Sequence, residues 1–392
     1  MLTAPADIGA ALARVAARCQ DGSVDLETFL GTAARLIAVP STADRPDELH
    51  RALDLVLEQV LDRVGPGFTV ERFASRGKPS ALVYRDAGGV RPEFRVILNG
   101  HVDVVPAEPH QFTARREGDR LYGRGTHDMK VAALVEALVF AELAPTLPFP
   151  VALQLVTDEE VGGRDGTGHQ VGQGVTGQFV VIGEQSGLEL VTDSKGIAQV
   201  RLSATGRTGH SAYPWQGDNA LVTVVRAVDK LLAAYPLPTG EAWVTTVNVA
   251  RIETDNRAFN QVPATAQAWL DIRFPPGATG FDGRDAEQVG AHLLEVCGPG
   301  VEVAVAQADA PHWADRTLPD VLALRAAAQA QGFPAGFLRK HGAADGRYYS
   351  QRGIPAVIFG IGGGGLHGPQ EYVDVTTIEP YYRALRQFLL AL

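Results

Sequence analysis

The sequence predicts an α/β protein: a mostly parallel sheet flanked by helices, interrupted by an inserted ferredoxin-like α+β domain. Before about residue 193, short apolar runs alternate with helical patterns, which is typical of a buried parallel sheet. Between 193 and 310, apolar and polar residues alternate along the strands instead. The chain has 392 residues, more than one hydrophobic core usually serves, so two domains are expected.

Leu, Ile and Val at helical spacing predict helices over 26–38 and 47–63, which Pro40 and a polar run separate. The strands that follow are predicted at ALVY, FRVILNG, VALQLVT and FVVIGE. A helix from Met129 to Leu143 falls between the second and third of them. Residues 1–192 are therefore interpreted as the first part of a catalytic domain.

The inserted domain, residues 193–310, shows the order β-α-β-β-α-β of the ferredoxin-like arrangement. Its elements are predicted at IAQVRLSATG, a helix from Asn219 to Ala234, WVTTVNVARIET, ATAQAWLDIRF, a helix from Asp285 to Cys297, and VEVAVAQA. Residues 311–392 return to the catalytic domain with VLALRAAAQAQ, PAVIFG and a closing helix over 379–391.

Composition excludes several classes of protein. A net charge of -10 without a Lys/Arg run argues against nucleic acid as a partner. Cys19 and Cys297 are the only cysteines, too few for a disulfide framework or a cysteine-built zinc site. Neither a secretory signal in the first twenty residues nor a run of eighteen apolar residues is present. We therefore expect a soluble cytoplasmic protein that does not contact the membrane.

Metal-type residues follow four of the apolar strands, and a further one, Asp128, lies in the loop GRGTHDMK before a helix. The strand-end residues are His101, Glu159 with Glu160, Glu184 and His367. Because ligands bind at the carboxyl ends of strands in open α/β sheets, these side chains are expected to converge. Zinc accepts imidazole and carboxylate ligands, and two metals need a bridging group, for which Asp128 is suited. The alternative is that these residues are polar only because strand ends are exposed to solvent. The residues alone do not assign a role to each side chain.

The segments GHVDVVP, LYGRGTHDMK, TDEEVGG, GEQS and LHGPQEYV resemble the dizinc metallopeptidase family of aminoacylase, acetylornithine deacetylase, succinyl-diaminopimelate desuccinylase and glutamate carboxypeptidase. The resemblance implies two divalent metal ions, zinc by default, with cobalt or manganese as alternatives. It implies one metal on His101, Asp128 and Glu184, and the other on Asp128, Glu160 and His367. It also implies that Asp103 orients His101 and that Glu159 is the general base.

The same resemblance extends into the inserted domain. GRTGHSAYP is similar to a family segment whose histidine, here His210, stabilises the oxyanion in a neighbouring active site. It therefore implies a homodimer built through the inserted domain, which would act as lid and dimerisation domain. Asn260, Arg273 and Arg347 match substrate-contacting positions, and guanidinium groups suit a substrate carboxylate. For the two arginines, structural salt bridges are the alternative.

The resulting hypothesis is a metal-dependent amide-bond hydrolase, either a deacylase or desuccinylase, or a dipeptidase or carboxypeptidase. A hydroxide bridging the two metals would attack an N-acyl amino acid or short peptide. The alternative is a non-catalytic metal-binding or ligand-binding protein on the same scaffold. GIGGGG at 360–365 satisfies the dinucleotide pattern GxGxxG, but the Pro and His that follow favour a ligand-presenting loop. Ala344, Gln185 and Trp215 depart from the family pattern and leave the substrate open.

Overall fold

The computed structural model describes residues 24–86 and 88–392. Cys19 and the N-terminal stretch considered above as a signal lie outside the described residues. The described chain forms two compact units. Unit 1 holds the described residues up to Thr192 with Ala314–Leu338 and Tyr348–Leu392, and unit 2 holds Asp193–Trp313 and Arg339–Arg347. Residues 339–347 belong to unit 2, whereas the sequence predicts them in the second part of the catalytic domain, because no periodicity marks so short a return to unit 2.

The helices and strands follow one another closely along the chain. Up to the unit boundary they are α1 Leu26–Ile37, α2 Pro46–Val64, β1 Phe68–Ser75, β2 Lys78–Arg85, β3 Val96–His101, β4 Arg115–Glu117, β5 Arg120–Tyr122, α3 Lys130–Leu143, β6 Val151–Val156, α4 Thr167–Gly172, β7 Val180–Ile182 and β8 Leu190–Ser194. Unit 2 continues with β9 Gly196–Thr205, α5 Ala220–Ala234, β10 Thr246–Glu253, β11 Thr265–Phe274, α6 Ala286–Cys297, β12 Glu302–Asp309 and β13 His312–Trp313. The remaining elements are α7 Pro319–Ala330, β14 Phe337–Lys340, α8 Gly346–Ser350, β15 Ala356–Ile358, β16 Gly363–Gly364, β17 Tyr372–Asp374 and α9 Ile378–Ala391.

The main sheet of unit 1 has the strand order β1-β2-β6-β3-β7-β15-β8. Strands β6, β3, β7 and β15 are parallel at its centre, whereas β1, β2 and β8 join antiparallel. All side chains of β3 and β6 are buried, which explains why these strands are continuous apolar runs. The α/β class is confirmed, with a mixed sheet whose parallel centre carries the predicted strand ends.

Helices cover this sheet and complete one hydrophobic core. α3 is buried on nearly all sides, since it packs between the sheet and the helices α2 and α9. Leu53, Val56 and Val60 of α2 and Phe388 of α9 belong to the same core. Because α3 is held in this way, the loop immediately before it has a rigid anchor.

Unit 2 has a four-stranded antiparallel sheet in the order β10-β11-β9-β12. Every second side chain of these strands packs against α5 and α6. The resulting hydrophobic core of unit 2 includes Val224, Leu231, Val289 and Leu293 from the two helices. The β-α-β-β-α-β order predicted for this segment is present as a ferredoxin-like arrangement. Cys297, at the end of α6, is buried and has no disulfide partner in the described chain.

A second, small sheet in unit 1 was not predicted. It has the order β16-β17-β5-β4 and pairs the hairpin around 363–374 with the strand that precedes the loop GRGTHDMK. Its strands are two or three residues long and carry no readable period. Within the described residues, no helix is both long and apolar enough to span a bilayer.

Candidate metal centre

Three neighbouring parallel strands deliver most of the candidate ligands. β3 ends at His101, whose register partner on β6 is Val156, and the turn with Glu159 and Glu160 follows that strand. β7 ends two residues before Glu184. The carboxyl ends of these strands therefore bring a histidine and three carboxylates to one edge, as the sequence predicted.

Asp128 lies between the two histidines of the site. Its Oδ1 is 2.9 Å from Nε2 of His101, and its Oδ2 is 3.2 Å from Nε2 of His367. Nε2 of His101 is also 3.3 Å from Glu184, and Nε2 of His367 is 3.2 Å from Glu160. Each imidazole thus meets one oxygen of Asp128 and one further carboxylate, which gives the site two similar halves.

The donor atoms fit two cations. Ligand atoms of His101, Glu159 and Glu184 lie within 4.8 Å of one another, and so do those of Asp128, Glu160 and His367. Oε1 of Glu160 is buried and accepts no hydrogen bond from the described residues. Imidazole and carboxylate are ligands that zinc accepts. Glu159, expected as a base, is therefore also near enough to belong to the first group.

The protonation of the two histidines shows how negative this site is. Burial alone would lower the pKa of His101, but Asp103, Asp128 and Glu184 outweigh it and raise that pKa well above 6.5. Asp128 and then Glu160 raise the pKa of His367 to about 10. Burial is the main reason that the pKa of Glu160 is raised. The carboxylates around the two histidines therefore favour the protonated imidazoles.

Asp103 contacts three residues of the site, of which the sequence predicted His101. Its Oδ1 lies 3.4 Å from Nδ1 of His101, and its backbone oxygen lies 3.1 Å from the same nitrogen. Its carboxylate also accepts the backbone N–H groups of Glu159 at 3.3 Å and Glu160 at 3.1 Å. This single buried side chain therefore positions both a candidate ligand and the turn that carries the expected base.

The glycine-rich segment forms the hairpin that presents His367, and the strand β17 follows it where the dinucleotide pattern requires a helix, so that pattern has no structural counterpart here. His367 has a φ of 57°, in the left-handed region that few non-glycine residues adopt. At Gly365 a Cβ would lie 2.3 Å from the backbone oxygen of Gln370. Glycine is needed there because the two arms of the hairpin approach so closely.

Arg124 and Glu371 form a buried ion pair beside the site that was not predicted from the sequence. Both stand inside segments that carried the family resemblance, GRGTHDMK and LHGPQEYV, and that is where they could have been found. Gln185, noted as a departure, is also adjacent, since its Nε2 donates to Oδ2 of Asp128 at 3.4 Å.

Unit 2 holds the remaining predicted residues. His210 and Asn260 lie on adjoining loops, where the backbone N–H of Ser211 donates to the backbone oxygen of Asn260 at 3.0 Å, and both residues are exposed. Arg273 is paired with Asp271 on the same strand, with Nε 2.6 Å from Oδ1. The structure thus places His210 and Asn260 together, apart from Arg273.

Arg347 is buried within unit 2, and its Nε is 3.6 Å from Oδ2 of Asp309. Ala344, which replaces the hydroxyl residue of the family loop, is buried in the same segment. Trp215 is 73% exposed near His210.

A buried carboxyl also lies beneath the ligand-bearing strand ends. Glu136 of α3 is fully buried, and its Oε1 accepts the hydroxyl of Tyr381 at 3.3 Å. A Cβ on Gly100 or Gly183, the residues just before His101 and Glu184, would lie within 2.9 Å or 2.8 Å of this carboxyl. Burial raises the pKa of Glu136 well above 4.5, against the opposing effects of Tyr381 and His101.

Comparison with known proteins agrees with this architecture. A model of peptidase family M20/M25/M40 matches residues 97–391. The succinyl-diaminopimelate desuccinylase of Cereibacter sphaeroides is 30% identical over 383 residues, which cover 91% of this chain and 97% of the relative.

Two solved structures share the fold. The aminopeptidase PepT of Bacillus cereus has a TM-score of 0.75 at 17% identity, and the match covers 93% of this chain and 98% of the PepT chain. A dinuclear metal-binding peptidase of Bacillus subtilis has a TM-score of 0.65 at 13% identity, with the same coverage of 93% and 98%. Identities this low establish only the architecture.

Fold, strand-end chemistry and family match together define a metal-dependent hydrolase of amide or peptide bonds. The chain belongs to peptidase family M20/M25/M40.

The raised pKa of Glu136 predicts a pH dependence of stability. Since the folded carboxyl holds its proton above the ordinary 4.5, its contribution is fully present below pH 4.5 and is lost as pH rises towards the folded pKa. A Glu136→Gln variant cannot titrate. Relative to wild type it should gain up to about 1.4 kcal/mol of unfolding free energy per pH unit above the ordinary glutamate pKa. Urea unfolding of both metal-free proteins at pH 5, 6.5 and 8 measures this, and parallel pH profiles would refute it.

Proposed function

We propose that this protein uses two zinc ions to hydrolyse the amide bond of an N-acyl amino acid or short peptide. The observation that carries the proposal is Asp128, whose two oxygens face two different histidines at 2.9 and 3.2 Å. We assign one ion to His101, Asp128 and Glu184, and the other to Asp128, Glu160 and His367. The dinuclear Bacillus subtilis neighbour supports the number of ions, and the histidine and carboxylate ligands support zinc, with cobalt or manganese as substitutes.

Two cations held by these residues would lower the pKa of a water molecule between them and would polarise the carbonyl oxygen of the scissile amide. In this proposal Glu159 is the general base, which takes a proton from the attacking water and returns it to the leaving amine. The Glu159 backbone is held by Asp103, so its carboxylate starts from a fixed turn next to Glu160. Adjacent glutamates can divide these roles because a ligated carboxylate stays ionised while the other carries protons.

The substrate proposal rests on the arginines. Arg273 has its guanidinium on the surface of β11, two-thirds buried, where a substrate carboxylate would share it with Asp271. Arg347 lies beside Asp309 in the same unit. A free carboxylate is common to N-acyl amino acids and peptides, so this feature fits both deacylases and carboxypeptidases. The similarity to a desuccinylase favours acyl amino acids as the first substrates to test.

We propose a homodimer in which His210 serves the partner's active site. On β9, Ile197 pairs with Arg273 near the end where the chain enters unit 2, whereas His210 follows the opposite end at Thr205. The eight residue steps between those ends span about 25 Å. One chain therefore presents Arg273 and His210 far apart along the sheet, and a second copy would supply His210 where the first holds Arg273. Phe259 and Trp215, highly exposed near His210, would be covered in such a dimer.

The cytoplasmic location stays part of the proposal. Its support is the scarcity of cysteine, since Cys19 and Cys297 are the only two in the chain.

A Glu159→Gln variant tests the assigned base. It should lower kcat by about 100- to 10,000-fold, because general acid–base catalysis contributes that much, while both zinc ions remain bound. Activity is measured on N-acetyl and N-succinyl amino acids and on dipeptides, with metal content by atomic absorption. Glu58→Gln, an exposed glutamate on α2, is the matched control and should leave activity unchanged. Full activity in the Glu159 variant, or turnover that persists in a chelator, would contradict the proposed mechanism.

Mixing two inactive variants tests His210 in trans. His210→Ala and Glu159→Gln should each be inactive alone, with about 100-fold or greater losses. After subunit exchange, a mixed dimer has one site with an intact Glu159 that receives His210 from the other chain, so activity should return. If His210 acts within its own chain, neither site in the mixed dimer is complete and the mixture stays inactive. A strictly monomeric, active wild type in light scattering would also exclude the arrangement.

A further inference from the structure

One buried ion pair connects the loop that carries Asp128 to the loop that carries His367. The side chains of Arg124 and Glu371 are 3% and 1% exposed, and Nη1 of Arg124 donates to Oε2 of Glu371. Nη2 of Arg124 donates to the backbone oxygen of His367 at 2.9 Å and to that of Gly368 at 3.3 Å. One guanidinium fork therefore holds both Glu371 and the backbone of the His367 loop.

The second oxygen of Glu371 holds the other loop. Oε1 accepts the backbone N–H groups of Gly125 at 3.0 Å, His127 at 3.0 Å and Asp128 at 3.2 Å. Three donors on one oxygen fix the backbone that carries the Asp128 side chain. Charge-assisted bonds of this kind are stronger than bonds between neutral groups.

We propose that Arg124 and Glu371 are a positioning pair that sets the separation of Asp128 and His367, an inference that rests on the two-cation function proposed above. Neither side chain needs to touch substrate, because both act through the backbone of the loops. His101 ends a buried strand and Glu184 stands two residues beyond another, so the sheet positions them. Asp128 and His367 stand on loops, so the ion held by Asp128, Glu160 and His367 depends most on the pair.

One further contact supports a positioning role. Gln111 donates its side-chain amide to the backbone oxygen of Gly368 at 3.1 Å, so a second side chain holds the His367 loop. A buried ion pair is also weak evidence of stabilisation, since desolvation of two charges offsets much of their attraction. The side chains of Arg124 and Glu371 bond to each other and to the two ligand-bearing loops, so positioning of these loops explains the pair better than stabilisation does.

The test is a titration of the metal-free protein with zinc, in which calorimetry measures the affinity of each of the two binding events. The absorption spectrum of bound cobalt provides a second signal. Arg124→Lys keeps the charge but loses the fork, and Glu371→Gln keeps the shape but loses the charge. Arg124→Lys, which releases the backbone of the His367 loop, should weaken one of the two binding events by about ten- to a hundred-fold, the range found when partners of metal ligands are removed. Glu371→Gln also releases the loop of Asp128, which is assigned to both ions, so it should weaken both events. Arg124→Lys should leave the other event within about two-fold of wild type, since the sheet positions His101 and Glu184.

Glu142→Gln is the matched control, because Glu142 forms a half-buried ion pair with Arg386 in the same unit, away from the site. It should change the melting temperature of the metal-free protein without changing either zinc affinity. If Arg124→Lys binds both ions as wild type does, or weakens both equally, the positioning proposal is wrong, whether or not Glu371→Gln folds. A wild type that binds fewer than two ions would instead overturn the two-cation function on which it rests.

Discussion

Electrostatic repulsion among carboxylates is the constraint on which the rest of the site depends. Asp103, Asp128, Glu159, Glu160 and Glu184 converge at one edge of the sheet, around the imidazoles of His101 and His367. Positive charge within such a group relieves the repulsion, and the neighbouring carboxylates accordingly raise the pKa values of His101 and His367. Divalent cations would replace the protons of these imidazoles and satisfy the same oxygens, which is why this arrangement suits metal-dependent amide hydrolysis.

The scaffold positions the site in two different ways. His101 lies at the end of a central strand and Glu184 just beyond another, where pairing on both sides leaves little freedom. Asp128 and His367 instead depend on loops, on a left-handed residue and on the Arg124–Glu371 pair. The strand-borne half of the site follows from the sheet itself, whereas the loop-borne half requires dedicated side chains.

Much of this could be predicted from sequence, for identifiable reasons. Buried central strands such as β3 and β6 are apolar runs, so their ends mark the site, and the alternating strands of 193–310 mark a separate fold. β1, the small sheet and α4 were missed because they are short or half-exposed and carry no clear period. Arg124 and Glu371 were missed because their side chains bond to backbone groups that are distant in the sequence. Glu136 was missed because its burial is visible only in the folded chain. The division of roles between Glu159 and Glu160 came from family resemblance, since adjacent carboxylates look alike in a sequence.

The central claim is that Asp128 bridges two cations, and anomalous diffraction from crystals of the zinc-loaded protein tests it most directly. We expect two zinc peaks about 3.5–4 Å apart with the Asp128 carboxylate between them. His101 and Glu184 should lie at one peak, and Glu160 and His367 at the other. A single peak, or two peaks that do not share Asp128, would show that this carboxylate does not serve two cations.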